Sequence, residues 1–201
     1  MGFDLHGIMP QENTKKPETL IKYPSGWQIE DETIQKEWYN AYEKWEKENP
    51  GVYFRNNVWW WRPLWMFVCS SCEDILTEKD MTKGTWNDGH KISKTKSKKI
   101  AARLRKLLKG LDVKMYASHA EDKRQRAVEH NKEVQEKIDA LNEEVKQFGS
   151  DLAPKDYPEP YKTRWDKLQE WKKWEANYPF SVENVIEFEK FCEQSGGFII
   201  C

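Results

Sequence analysis

The chain has 201 residues, enough for one domain with its own core, and 33% of them are charged. Aromatics reach 13%, with eleven tryptophans, which excludes a disordered chain and predicts a core of few, large side chains. The formal net charge of −1 gives no global basic excess for nucleic acid or an anionic membrane.

In chain order, Met1–Ile8 reads as a short strand, and Gln11–Gln28, polar and carrying Pro17 and Pro24, as a loop. Ile34, Trp38, Tyr42 and Trp45 recur at helical spacing, predicting a helix over Asp31–Asn49 that Asn49-Pro50-Gly51 stops. Val52–Phe54 reads as a short strand. Pro63 suits the first turn of a helix running to about Leu76. Thr77–Gly84 reads as a capped short turn, and Asn87-Asp88-Gly89-His90 as a turn with Gly89 at positive φ.

Ser93–Leu108 is the clearest helix, with Ile100, Leu104, Leu107, Leu108 and Leu111 on one face and lysines and arginines over much of the rest. Val134, Ile138, Leu141, Val145 and Phe148 then form a heptad seam that weakens backwards through Asn131, Ala127 and Arg124. Gly149–Pro160 turns the chain into a helix with Tyr161, Trp165, Leu168, Trp171 and Trp174 on overlapping apolar faces. Ser181 caps a last helix, Ser195-Gly196-Gly197 ends it, and Phe198–Cys201 reads as a strand for which the N-terminal strand is the candidate partner. The expected fold is α+β and mainly helical. Residues 1–116 and 176–201 form a compact body whose small sheet pairs the two terminal strands. Residues 117–175 form a projecting, antiparallel, charged helical hairpin.

The motifs MGFDLHGI, YFRNNVWWWRPLW, NDGHKISK and PFSVENVIEFEKFCEQSGGFIIC together resemble a family of small bacteriophage and bacterial proteins. The resemblance covers the first residues, about 51–111, and 178–201, and implies a phage setting rather than a mechanism. Some such proteins carry a short Cys-rich knuckle in the middle stretch. Here that stretch has no cysteine, so the knuckle's ligands are missing.

The strongest constellation is Arg55, Asn56, Asn57, Trp60, Trp61 and Arg62. Three adjacent tryptophans on a helix point about 100° apart and cannot all enter one core. Arginine and asparagine beside an exposed indole suit a ligand with a flat ring and a phosphate: the ring stacks, the guanidinium pairs and the amide reads an edge. The alternative is that the indoles are core and the arginines bond carbonyls. Asn87, His90 and Lys91 precede the basic helix and can meet an anion at its N-terminus; the alternative is an ordinary turn. Cys69-x-x-Cys72 lies in an apolar helix, where packing as small hydrophobes is the reading over zinc or redox chemistry.

No catalytic motif nominates an active site, and no metal or cofactor is expected. MGFDLHGIMP lacks a signal peptide's regions, no run reaches the roughly 18 apolar residues of a membrane helix, and a cytoplasmic location, the host's for a phage product, is expected. The functional expectation is a phage accessory protein that binds a nucleotide-derived small molecule, as a sponge for a host immune signal. The alternatives are a protein-interaction module acting through the hairpin, which can also support a homo-oligomer, and a nucleic-acid binder using Lys94–Lys109, which the overall charge does not favour.

Overall fold

The computed structural model describes residues 2–149 and 152–201. Met1 of the expected first strand, and Ser150 and Asp151 of the expected turn, lie outside the described residues. The chain divides into two compact units, Met1–Lys114 with Ser181–Cys201, and Met115–Phe180.

The first unit opens with β1 (Gly2–Gly7), in which Phe3 and Leu5 are buried while His6 is exposed, the alternation of a strand with one covered face. The expected loop after it contains a short helix, α1 (Glu18–Lys22), and a 3₁₀ turn at Gly26–Gln28. These are held by α2 (Glu32–Glu48), whose Trp38 indole donates to the Tyr23 carbonyl and whose Trp45 indole donates to that of Thr14. Asn49, fully buried just past α2, accepts from the Asn13 and Thr14 amides. Buried tertiary partners thus order a polar segment that has no periodicity of its own.

After Pro50 come β2 (Tyr53–Asn57) and α3 (Val58–Ser71). Pro63 is not in the first turn of α3, as expected, but inside the helix, which also stops at Ser71 rather than near Leu76. The reason is Asn57, whose side chain accepts from the Trp59 and Trp60 amides and so starts the helix five residues earlier. The next elements are α4 (Glu78–Lys83), β3 (His90–Ile92) and α5 (Lys94–Lys109). The chain then enters α6 (Asp112–Val145), and returns to this unit through α8 (Val182–Gln194) and β4 (Phe198–Ile200).

The four strands form one antiparallel sheet in the order β2-β1-β4-β3. The terminal strands pair as expected, Leu5 opposite Ile200 and Gly7 opposite Phe198. One sheet face carries Phe3, Leu5, Phe54, Ile92, Phe198 and Ile200, all buried. Phe3 stacks on Trp61 at 5.3 Å and Trp61 on Trp65 at 5.2 Å, while Phe54 and Phe198 meet Phe188 and Phe191 of α8. A few aromatic rings therefore supply much of this core.

In the second unit the seam residues Ala127, Val134, Ile138, Leu141 and Val145 of α6 are each at most 2% exposed. Phe148, expected on the same seam, is 53% exposed, because the helix ends at Val145 and a 3₁₀ turn carries the ring off the stripe. The returning helix α7 (Tyr161–Trp171) leaves Trp171 more than half exposed, and so is Trp174 beyond it. The polar stretch of the seam has a structural use. His130 hydrogen-bonds to the Trp171 carbonyl, Asn131 pairs with both the amide and the carbonyl of Lys173, and Arg124 reaches the Ala176 carbonyl. These side chains satisfy backbone groups at the end of α7 and in the 3₁₀ turn Trp174–Asn177 that follows it.

No helix is long and apolar enough to cross a membrane among the described residues.

Candidate functional site

The three adjacent tryptophans of α3 are sorted by helix geometry. Trp61 has no exposed surface, whereas Trp59 is 45% and Trp60 37% exposed. The Trp61 indole donates to the Gly84 carbonyl at 2.8 Å and that of Trp65 to the Met81 carbonyl at 3.0 Å. Those two rings hold α4 against α3, so Trp61, expected beside a ligand, is core. Asn56 is also internal: its amide donates to Asn184 of α8 at 2.8 Å, and Asn184 in turn donates to the Trp60 carbonyl. Asn57 is exposed, but its side-chain oxygen is occupied by the α3 cap. Arg62 is exposed on α3.

Asn87 to Gly89 form a turn, as expected, but His90 and Lys91 belong to β3, and the segment is built differently from an anion cradle. Gly89 takes φ +86°, and the Asn87 amide donates to the Gly2 carbonyl. His90 hydrogen-bonds through Nε2 to Asp80 Oδ1 at 2.9 Å. Asp80 is 5% exposed and also accepts from the Thr77 amide and hydroxyl and from Lys96 Nζ. Burial works against the Asp80 carboxylate, but the bonds from Lys96, Thr77 and His90 outweigh it and hold its pKa well below the usual range. Lys91 projects from β3 and is exposed.

These residues do not form one pocket. Arg55 lies on β2 and His90 on β3, which are opposite edges of the sheet. Three strand spacings of about 4.8 Å separate them. They also differ in face: Arg55 is exposed, while the His90 side chain is 12% exposed.

Arg55 belongs instead to a groove of about 370 Å³ beside β2, lined chiefly by Glu46, Lys47, Tyr53, Arg55, Glu187 and Lys190. Three elements meet there: the end of α2, the edge strand β2 and α8. The Gly7 amide bonds the Val52 carbonyl, so by antiparallel alternation Phe54 and Asn56 exchange backbone bonds with β1. The amides and carbonyls of Tyr53 and Arg55 therefore point to the outer edge, towards the groove. Asp4, opposite Arg55 on β1, organises the side chains. It accepts from the Tyr53 hydroxyl and lies 3.6 Å from Arg55 Nε. The Tyr53 ring meets that of His6 at 5.1 Å. Burial and the Asp4 carboxylate push the Tyr53 hydroxyl above its ordinary pKa, so it stays a neutral donor. Burial likewise raises the Glu46 carboxyl, partly offset by its hydrogen bond from Tyr42.

The alternation Phe3-Asp4-Leu5-His6 identifies Asp4 and His6 as facing away from the core, but nothing in the sequence joins Lys47 and Lys190 to Arg55. Only the fold brings them together.

The cysteines have no such convergence. Burial pushes Cys69 up to about 12 and Cys72 up to about 11, and Cys192 is raised as well, so all three are poor thiolates. Among the described residues no three His, Cys, Asp or Glu side chains gather as a metal site. No family model, curated protein or solved structure matches the chain.

Proposed function

We propose that this protein binds a nucleotide-derived small molecule in the groove between β2, the end of α2 and α8, and acts by retaining it. The observation that carries this reading is the convergence of Arg55, Lys47 and Lys190 on one groove that Tyr53 also lines. Its volume falls in the roughly 300–1,000 Å³ range of small-molecule sites. Arg55 supplies a planar fork for a phosphate, and the two lysines supply point charges. Tyr53 offers an aromatic surface and is steadied by Asp4 and His6. Glu46 and Glu187 can accept from sugar hydroxyls or an exocyclic amine. The outward backbone groups of β2 can read a base edge.

In the phage setting implied by the sequence motifs, the use of such a binder is to sequester a host immune signal. Isothermal titration of the full chain with cyclic oligonucleotides, mononucleotides and ADP-ribose derivatives tests the reading. One class is expected to bind at micromolar concentration or below. Silence across the panel from folded protein removes it.

A further inference from the structure

The 16-residue helix α5 has the sequence KTKSKKIAARLRKLLK, with eight basic side chains and no acidic one. Its buried side is Ser97, Ile100, Ala101 and Leu104, none with exposed surface, and the Ser97 hydroxyl donates to the Cys192 carbonyl of α8. At 100° per residue the opposite arc, roughly 140° wide, presents Lys94, Lys98, Lys99, Lys106 and Lys109, all exposed.

Carboxylates reach one flank of this arc, at Lys96 and Arg103, and within the arc they reach Arg105. Asp80 pairs with Lys96, Asp74 with Arg103, and Glu189 and Glu193 with Arg105. Asp74 also feels the field of Lys99. Among the described residues, none of the five lysines on the arc is in an ion pair. The net charge of −1 conceals this segregation.

We propose that the exposed arc of α5 is a second binding surface, for duplex nucleic acid, which it grips by the phosphates without reading sequence. From Lys94 to Lys109 the helix rises about 22 Å, over which a duplex presents about one phosphate per 1.7 Å of axis. Lys99, Ala102 and Lys106, together with Asp74, Ile75 and Arg103, line a depression of about 350 Å³. The arc carries no asparagine or glutamine, and Arg105 is held by two glutamates, so base edges have no bidentate reader. The surface shares no residue with the groove beside β2, and the two can fail separately.

Fluorescence anisotropy of the full chain with a labelled random-sequence DNA duplex tests the proposal. Five phosphate contacts give a log–log salt slope of about −4.5, so affinity is expected to fall about 500-fold between 50 and 200 mM salt. The triple variant Lys98→Glu/Lys99→Glu/Lys106→Glu is expected to lose at least about 30-fold at 50 mM salt. A control with the same change in net charge, Lys15→Glu/Lys36→Glu/Lys44→Glu at exposed positions elsewhere, is expected to stay within about 3-fold. Circular dichroism checks that both variants are folded. The proposal is overturned by no binding at 50 mM salt, by equal losses in both triple variants, or by equally tight binding of polyglutamate or phosphatidylserine vesicles, which would make the arc a general anion surface.

Discussion

Gly84 sits where any Cβ would overlap the Trp65 indole, while its carbonyl accepts from Trp61. The contact makes Gly84→Ala an overpacking change, expected to cost about 1–3 kcal/mol in urea unfolding; an unchanged midpoint would show that the α3–α4 contact is loose. Asp80 is the other residue on which this corner depends. Its folded pKa is depressed, so its contribution is complete above an unfolded value of about 3.9 and is lost as pH falls towards the folded one. The stability gap between the native chain and Asp80→Asn is therefore expected to narrow between pH 6 and pH 2.5. A constant gap across that range would mean that the carboxylate's charge is not what Lys96 and His90 use.

At the scale of elements, α6 gives a clean contrast. Leu141 is 1% exposed on the seam and Phe148 is 53% exposed beyond its end. Leu141→Ala is expected to destabilise the unit by about 2–5 kcal/mol, whereas Phe148→Ala is expected to stay within about 0.5 kcal/mol; differential unfolding followed by hydrogen exchange in Met115–Phe180 separates them. Elements with periodic burial are legible in the sequence: α2, α5, the seam of α6, α8 and the pairing of the terminal strands all follow from spacing and caps. Three others are not. Helix α1 and its flanking turn owe their order to Trp38, Trp45 and Asn49, which are distant in sequence. Strand β3 has three residues, too few for a period, and exists because β4 offers it an edge. Pro63 pointed to a helix start, but the Asn57 cap acts first.

Across the first unit, the sheet order decides which candidate residues can cooperate. Arg55 and His90, both candidate ligand residues, lie on opposite edges, and Trp61 is buried in the core. The exposed part of the aromatic cluster was legible from helix geometry, because 100° steps cannot bury three neighbouring indoles. The groove was legible only through Arg55, since Lys47 and Lys190 reach it from α2 and α8 and no local pattern links them. In the proposed function these three cations hold the phosphate of a nucleotide-derived ligand. Its most direct test is calorimetric titration of the native chain and of Arg55→Ala/Lys190→Ala, side by side, with the panel's best ligand. Removing two charge-assisted contacts of about 1.5–3 kcal/mol each is expected to weaken binding by at least about 100-fold while leaving the fold intact. Equal affinities for the two proteins would rule out Arg55 and Lys190 as the groups that hold the phosphate.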